Sequence, residues 1–335
     1  MSEIDNPTMM AEGIYAKFSN IFEPYLEEVG IDKSALSDPN ALIPLTKHAR
    51  LMEVTAEKSG DAYFGMHLGV KIMPSDMGAI GYAMDNSPTV GAALRNFARY
   101  LAAYTRGCFF ELKAEGELAF YDFAYTLSDL GLMDRRQEAE CTLALVMSLV
   151  RSVSGENWSP KEVWFEHPGT EKSAEYKRVF GAPVEFGKPI NRLVFNASFL
   201  EKPVKAAQPR LFAVIEEHLQ HVIENQDHED DLVNQVSNLV ARELSNGVPT
   251  IDWVAQQLIM TKRTLQRRLT DRGIGFSEIV DDVRRNMAVQ YVEKSAISLT
   301  EISFLLGYSH LSAFCRSFKR WTGTTPQKVR GHSDA

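Results

Sequence analysis

Apolar residues near the C-terminal end of the chain recur at the spacing of a helix. Val254, Ala255 and Leu258 share one face of a predicted helix. After a short break, Leu265 and Leu269 share one face of another helix. Apolar positions three or four residues apart are typical of a helix that buries one side. The pattern therefore predicts a short helix, a tight turn and a second helix.

The same pattern returns 49 residues later, measured from Leu265 to Phe314. Phe314 and Phe318 are the inward positions of the second helix, and a Gly-Tyr-Ser break at residues 307–309 precedes it. The first helix of this copy has an apolar face made of Ile302, Leu305 and Leu306. Two short helices joined by a tight turn form the outline of a helix-turn-helix, whose second helix enters the major groove of DNA.

The side of each second helix that faces away from these apolar positions is rich in hydrogen-bond donors. In the predicted units, at residues 251–272 and 299–321, these positions are Arg263, Gln266, Arg267, Thr270, Ser312, Cys315, Arg316 and Lys319. Arg and Gln pair with guanine and adenine edges, and Ser can contact either. The residues that we expect to contact bases are Arg263, Gln266 and Arg267 in one groove and Ser312 and Arg316 in the next.

Other side chains beside these helices suit the phosphate backbone of DNA. We expect phosphate contacts from Lys262, Ser309, Lys319 and Arg320. The whole predicted DNA-binding set is Thr261, Lys262, Arg263, Gln266, Arg267, Ser309, His310, Ser312, Arg316, Lys319 and Arg320. The alternative is a helical bundle whose Arg and Lys residues form a solvated face, but two units at matching spacing favour DNA binding.

Local signals predict where these helices begin and end. Thr261 is placed to cap the first of the two DNA-reading helices, and Ser298 with Glu301 has the spacing of a capping box. Gly323 is a stop signal, and Pro326 suits the first turn of a final helix.

A longer helix is predicted between the two units. Residues 276–294 carry Val280, Val283, Met287 and Tyr291 at helical spacing. A helix of this length spans roughly 27 Å. It could hold the two DNA-reading helices about 34 Å apart, which is one turn of the duplex. We therefore expect both helices to enter successive major grooves on one face of DNA.

This segment resembles the DNA-binding domain of the AraC/XylS family of transcription regulators. The resemblance is carried by Met260, Thr261, Arg263, Leu265, Arg267, Leu269, Ile302, Leu306, Gly307, Tyr308, Ser309, Phe314, Arg316, Phe318, Lys319, Arg320, Trp321, Thr322, Gly323 and Pro326. The departures are Ile259 in place of the usual glycine, Ser303 in place of the usual alanine, and Leu311 and Cys315, which are poor base readers. The resemblance implies an all-α domain, double-stranded DNA as partner, transcription activation and contact with RNA polymerase.

Charge is divided unevenly along the 335 residues. The chain has a formal net charge of −8, yet residues 261–330 hold 13 Lys and Arg against 6 Asp and Glu. Positive charge is thus concentrated where phosphate contacts are predicted.

The longest apolar stretch, at residues 141–150, is too short to span a bilayer. No secretion signal is evident, and three scattered cysteines predict a cytoplasmic protein without a disulfide framework.

The first two hundred residues mix helical and strand patterns. Ser87-Pro88-Thr89 starts a helix, residues 108–127 predict a β-hairpin, and Asp134 is placed to cap a long helix that ends at Val153. Further strands are predicted at residues 163–165 and 193–195, and a short helix at 171–180. Glycine-punctuated stretches at residues 59–65 and 78–82 predict turns with short apolar segments. This mixture predicts an α+β domain over residues 1–202.

The same half resembles the N-terminal effector-binding and dimerisation domain of the arabinose-binding-like branch of AraC/XylS regulators. The resemblance lies in the runs SGDAYFG, GAIGYAM, SPTVGAAL and FARYL. It implies a sensor domain for a small-molecule effector of unknown identity, and a homodimer. An apolar effector pocket could be lined by Phe97, Tyr100, Tyr104, Phe109, Tyr121 and Trp164, although core packing is the favoured interpretation of these aromatic residues.

The remaining signals bound the domains and the function class. Residues 203–228 are interpreted as a connector that includes a helix from Leu211 to Glu224. An apolar stripe from Leu232 to Val240 starts an all-α DNA-binding domain at residues 229–335. His218 and His221 could hold a metal, but a solvated helix face is favoured, and no metal or cofactor is predicted.

No catalytic motif is found, so the chain is not predicted to be an enzyme. Two alternatives stay open: a constitutive DNA binder, and an N-terminal enzyme fused to a DNA-binding tail.

Overall fold

Two sheets and nine α-helices form the N-terminal part of the chain that the structure describes. The computed structural model describes residues 8–38, 41–105, 107–125, 135–155, 158–169, 174–205, 207–225, 228–258, 260–294 and 297–333. By their contacts these residues form two compact units, the first holding most of residues 8–225 and the second holding residues 228–333. The two units are described separately below.

Five strands of the first unit form one sheet in the order β3-β4-β7-β5-β6, and β1 pairs with β2. The strands are β1 Thr8–Met10, β2 Leu42–Pro44, β3 Cys108–Glu115, β4 Leu118–Tyr125, β5 Glu162–Trp164, β6 Val184–Glu185 and β7 Asn191–Asn196. Strands β4 and β7 are antiparallel, with Leu118 opposite Asn196 and Phe123 opposite Asn191. Gly116, at a φ of 60°, lies between β3 and β4. The predicted hairpin is therefore confirmed.

The helices of the first unit pack around a long central helix. They are α1 Glu12–Lys17, α2 Ser19–Phe22, α3 Leu45–Ser59, α4 Phe64–Gly69, α5 Gly78–Asn86, α6 Val90–Tyr104, α7 Arg136–Ser154 and α8 Ala174–Phe180. Thr89 caps α6 as its sequence predicts, because its side chain accepts a hydrogen bond from the amide of Ala92. The predicted cap of α7, Asp134, lies outside the described residues. Helix α7 is buried along most of its length and contacts α3, α4, α5 and α6.

Glycines in α4 and α5 permit close backbone packing. The turn predicted within residues 59–65 is present at residues 60–63, whereas residues 78–82 are helical and the prediction of a turn there is wrong. A Cβ atom on Gly65 would lie 1.9 Å from the carbonyl oxygen of Gln137 in α7, and one on Gly69 would lie 2.4 Å from that of Cys141. A Cβ atom on Gly81 would lie 1.6 Å from the carbonyl oxygen of Pro74. Real Cβ atoms do not approach a backbone so closely, and glycine is therefore required for backbone contact rather than for a turn.

The stretch that we interpreted as a connector, residues 203–228, contains another helix of the first unit. Helix α9, Pro209–Asn225, contacts α5 and α6. Just before it, the amide of Gln208 donates a hydrogen bond to Asn86 Oδ1 at 3.2 Å. By its contacts, α9 is thus part of the first unit.

The second unit is all helical, as predicted. Its helices are α10 His228–Glu243, α11 Ile251–Gln257, α12 Lys262–Asp271, α13 Phe276–Lys294, α14 Leu299–Leu305, α15 Leu311–Thr322 and α16 Pro326–Ser333. The predicted stripe of α10 is buried at Leu232, Val236 and Val240. Helix α13 contacts α10, α14, α15 and α16 and links the two short helical pairs. None of the helices in the described part of the chain combines the length and the apolar content that a membrane span needs.

Candidate functional site

The first helical pair, α11 and α12, has the geometry of a helix-turn-helix. Thr250 caps α11, and in the turn the amide of Met260 donates to the carbonyl oxygen of Ala255 at 2.8 Å. Thr261 caps α12 as predicted, because its Oγ1 accepts a hydrogen bond from the amide of Thr264 at 3.2 Å. Both ends of the turn are thus fixed by hydrogen bonds that satisfy helix-terminal amides.

Helix α12 buries two leucines and exposes its polar side. Leu265 and Leu269 are almost completely buried. The exposed residues on the helix or at its cap are Thr261, Lys262, Arg263, Gln266, Arg267 and Thr270. Because the buried side holds the helix on the domain, the long donor side chains on the other side are free to face a groove of DNA.

The second helical pair, α14 and α15, has the same geometry with different side chains. Ser298 caps α14 as predicted, accepting a hydrogen bond from the amide of Glu301. In the turn, the amide of Tyr308 donates to the carbonyl oxygen of Ser303 at 2.9 Å. Gly307 has a φ of 69°, a left-handed conformation that favours glycine. Ser303, which departs from the family pattern, is fully buried, and its hydroxyl donates to the carbonyl oxygen of Thr300.

Helix α15 buries two phenylalanines and exposes its polar side. Phe314 and Phe318 are fully buried, and Gly323 ends the helix in a left-handed conformation, as predicted. Cys315 is half-buried. The exposed residues on the helix or just before it are Ser309, His310, Ser312, Arg316, Lys319 and Arg320. Unlike Thr261, His310 precedes its helix without a capping hydrogen bond from its side chain.

The turn of the second pair is one residue longer than the turn of the first. Helices α11 and α14 begin 48 residues apart, at Ile251 and Leu299, whereas α12 and α15 begin 49 residues apart, at Lys262 and Leu311. The hydrogen bonds Met260 to Ala255 and Tyr308 to Ser303 also correspond at 48 residues. The extra residue therefore lies between Tyr308 and the start of α15. Ile259, which occupies the position of Gly307, lies outside the described residues.

One arginine that the sequence analysis did not identify fixes the second turn. Arg284, on α13, donates from Nε to the carbonyl oxygen of Leu306 at 2.9 Å and from a terminal nitrogen to that of Gly307 at 3.0 Å. Its guanidinium also lies 4.1 Å from the centre of the Tyr308 ring. These contacts satisfy carbonyls at the end of α14 and join the turn to the long helix. No local pattern marks this role, since it depends on a contact across 22 residues.

The cations of this surface are mostly available to phosphates. Lys262 pairs with Asp252 at 2.8 Å and Arg320 pairs with Asp281 at 2.6 Å, and all four side chains are substantially exposed. Exposed pairs of this kind contribute little to stability and can exchange for phosphate contacts. Within the described part of the chain, Arg263, Arg267, Arg316 and Lys319 form no ion pair. The arrangement can thus offer both base contacts and phosphate contacts.

Most of the aromatic residues that we considered for an effector pocket are buried, which agrees with the favoured interpretation of core packing. Phe97, Tyr100, Phe109 and Tyr121 are buried in the first unit. Trp164 is half-buried, and the Arg192 guanidinium lies 5.0 Å from its ring. The side chain of Tyr104 lies outside what the structure describes. A cavity of about 80 Å³ in the same unit is lined by none of the predicted six, and its lining includes Met9, His48, Met52, Glu138, Cys141 and Leu145.

Comparisons with known proteins agree with both halves of this description. Residues 22–204 match the family described as the arabinose-binding domain of AraC transcription regulators, and residues 254–332 match a helix-turn-helix domain family. The ornithine utilization regulator of Pseudomonas aeruginosa is 26% identical over 96% of this chain and 97% of its own. The transcriptional regulator VirS of Mycobacterium tuberculosis is 25% identical over 92% of this chain and 90% of its own.

A similar structure has also been solved. The crystal structure of the transcriptional regulator CdpR from Pseudomonas aeruginosa covers 93% of this chain and 97% of its own, with 21% identity and a TM-score of 0.47. The matched families and relatives are transcription regulators and not enzymes.

Proposed function

The chain belongs to the AraC family of DNA-binding transcription regulators, and we propose that it is a cytoplasmic activator whose DNA binding responds to a small molecule. One observation carries the DNA-binding part of this proposal. Two helix-turn-helix pairs each bury an apolar side and expose a side rich in Arg, Lys and hydroxyl groups. A constitutive DNA binder would share this surface, so the response to a ligand is the distinguishing property.

The roles of individual side chains follow from their exposure. Arg263, Gln266 and Arg267 would contact bases in one major groove, and Ser312 and Arg316 would contact bases in the next. The residues that would contact phosphates or fix the register on DNA are Thr261, Lys262, Ser309, His310, Lys319 and Arg320. Phosphate contacts position the protein, while base contacts select the sequence.

A homodimer is the second part of the proposal. Val214 and Leu211, on α9, are 64% and 42% exposed, and Tyr82, on the neighbouring helix α5, is 50% exposed. Large apolar side chains on two packed helices favour burial against another surface, and a second copy supplies the same patch in reverse. A dimer would place two DNA-binding units on adjacent sites, and an effector could activate transcription by changing how they engage DNA and RNA polymerase.

Selection of DNA from a random library with the full chain tests the DNA-binding proposal. A sequence-specific regulator should enrich one motif and bind it about a thousandfold or more tightly than random DNA at physiological salt. A chain that binds all sequences equally would instead be a nucleoid-type binder. Reporter transcription from the selected motif, with and without candidate effectors, then measures the sign of regulation.

A further inference from the structure

The cavity of the first unit is apolar apart from a few side chains. It lies between residues of β1, α1, α3, α4, α6, β3 and α7, and most of its lining is aliphatic, aromatic or thioether. The polar residues of its lining include His48, Thr105, Glu138 and Thr142. Its lining, within the described part of the chain, contains no Lys or Arg. A cavity with a few polar groups in an apolar wall is the usual form of a small-molecule site.

Glu138 is one of the lining residues of this cavity, and one of its carboxyl oxygens has no hydrogen-bond partner among the described residues. The residue is only 8% exposed, and its Oε1 accepts a hydrogen bond from the hydroxyl of Thr142 at 3.1 Å. Its Oε2 has no hydrogen-bond partner among the described residues. Leaving a buried polar atom unpaired is unfavourable, because the atom loses its hydrogen bonds to water without replacement. Oε2 itself is fully buried, so a ligand can complete its hydrogen bonds only where the cavity wall opens onto the carboxyl group.

The carboxyl group is held in its neutral form. Burial, reinforced by the nearby carboxylates of Glu166 and Glu53, raises the pKa of Glu138 to about 8, although the hydrogen bond from Thr142 acts in the opposite direction. A neutral carboxylic acid donates one hydrogen bond as well as accepting others. At neutral pH the group thus offers a donor to an oxygen of a ligand.

His48 is the second polar group of the wall, and it too is uncharged. Burial lowers the pKa of His48 to about 4. Its Nδ1 lies 2.8 Å from the hydroxyl of Tyr15, so Nε2 is the ring atom that remains to meet a ligand. Together the two groups supply hydrogen bonds without a net charge.

We propose that this cavity is the effector site and that it binds a small neutral molecule, largely apolar, whose single hydroxyl or carbonyl oxygen hydrogen-bonds to Glu138. The inference rests on the proposed ligand response and specifies its ligand class. An anionic ligand is disfavoured because the described residues of the wall include no cation to pair with it. A cationic ligand is disfavoured because it would require a charged pair in an apolar enclosure, where desolvation opposes the attraction.

The size of the cavity limits the ligand. Its volume of about 80 Å³ is smaller than that of an engineered cavity of about 150 Å³ that takes up benzene. A molecule of roughly five heavy atoms is therefore the expected scale. Met9, Met52 and Met77 line the cavity, and their unbranched side chains can adjust to a somewhat larger ligand.

Three probes of equal chain length and different charge test this proposal on the full-length protein. Binding of n-butanol, n-butylamine and n-butyrate is measured by ligand-observed NMR. We expect n-butanol to bind most tightly and n-butyrate to bind least. Tighter binding of the amine or the carboxylate, or no binding of n-butanol up to its solubility limit, contradicts the proposal.

Three variants of the cavity locate the bound probe. Cys141→Met fills the cavity and should weaken n-butanol binding about tenfold or more, which corresponds to about 1.4 kcal/mol. Glu138→Leu removes the hydrogen bond and should weaken binding roughly three- to tenfold. Glu138→Gln keeps an N–H donor and should bind n-butanol about as well as the parent chain. Glu57→Gln, the same change at an exposed position of α3, is the matched control.

Thermal unfolding of the unliganded variants separates a ligand site from a structural role. Because Glu138→Leu removes an unpaired buried carboxyl oxygen, it should leave the melting temperature unchanged or higher. A marked drop would show that the carboxyl group serves the fold. Equal n-butanol binding by the parent chain, Cys141→Met and Glu138→Leu would place the probe elsewhere and overturn the site.

DNA affinity measured with and without the probe distinguishes this site from the proposed ligand response. Binding that follows the variant pattern while DNA affinity stays constant supports the site and contradicts the response. Conversely, a compound that changes DNA affinity equally in the parent chain and in Cys141→Met supports the response and overturns the site.

Discussion

The two helix-turn-helix pairs present the same backbone around different side chains. In the first pair, two leucines anchor α12, whereas in the second, Phe314 and Phe318 anchor α15 with their rings 5.7 Å apart. The ring centres of Tyr308 and Phe314 are 6.0 Å apart, and the guanidinium of Arg284 lies over the Tyr308 ring. The second pair therefore has an aromatic core and an additional link to α13.

The exposed side chains favour the first pair, whereas the buried aromatic contacts favour the second. Helix α12 exposes Arg263, Gln266 and Arg267, three long side chains suited to base edges, while α15 exposes Ser312 and Arg316 beside a half-buried Cys315. Two copies of one motif can thus differ both in the side chains that anchor the helix and in the side chains that are exposed to select bases. We infer that the first pair contributes most of the sequence selectivity and the second pair contributes most of the fixed position on DNA.

Removing an aromatic anchor should produce the largest effect. Phe314→Ala deletes a fully buried ring and should destabilise the second pair by about 3 to 5 kcal/mol. Amide hydrogen exchange checks this, and protection should fall in α14 and α15 more than in α11 and α12. Leu265→Ala is the matched change in the first pair. If either substitution lowered amide protection equally in both pairs, the two pairs would share one core. That result would contradict the difference in anchoring described above.

The link from Arg284 should have the next largest effect. Arg284→Ala leaves the carbonyls of Leu306 and Gly307 without their donor and should cost about 2 to 3 kcal/mol. Denaturant unfolding, followed by hydrogen exchange at the turn, measures the loss. Arg285→Ala, a neighbouring change at a residue whose ion pair with Asp282 is partly exposed, is the control. Equal effects of the two substitutions would contradict the role of Arg284.

A third pair of variants should distinguish a residue that contacts bases from a residue that contacts phosphates. Arg267→Ala should cost about 1 to 3 kcal/mol on the preferred sequence and relax the choice of base at one position. Lys319→Ala should weaken binding to all sequences alike and reduce the salt slope by about one. Binding titrations on preferred and random DNA at several salt concentrations make the comparison. Equal losses on both DNAs for both variants would contradict the assigned roles.

The smallest expected effect concerns the start of each DNA-reading helix. Thr261→Ala removes a capping hydrogen bond and should cost about 1 kcal/mol of stability. His310→Ala should cost much less, because His310 makes no capping hydrogen bond through its side chain. Thermal unfolding of the two variants measures the difference. A larger loss of stability for His310→Ala than for Thr261→Ala would contradict the difference in capping between the two helices.

Much of the DNA-binding unit could be predicted from the sequence because its signals are local. The buried faces of α12 and α15, the caps at Thr261 and Ser298 and the stop at Gly323 each depend on residues within a few positions of one another. The extra residue in the second turn leaves no mark on the 49-residue spacing between the two DNA-reading helices, because it shows only against the 48-residue spacing of the helices before them.

The first unit was harder to predict because its features depend on distant contacts. Gly65 and Gly81 resemble turn residues in the sequence, yet they allow a backbone to pass close to a helix. The cavity joins residues from Met9 to Leu145, and aromatic composition directed attention to side chains outside its lining. No periodic pattern links a buried carboxyl group to residues nearly a hundred positions away.

A footprint at base resolution tests the central claim most directly, namely that both helical pairs bind one duplex. The full chain is bound to its selected DNA, and protection of major-groove positions is mapped for the parent chain, Arg267→Ala and Arg316→Ala. We predict two protected segments per chain, about one helical turn apart, with each substitution weakening a different segment and Arg267→Ala relaxing base choice more. One protected segment per chain, or weakening of the same segment by both substitutions, would contradict the account.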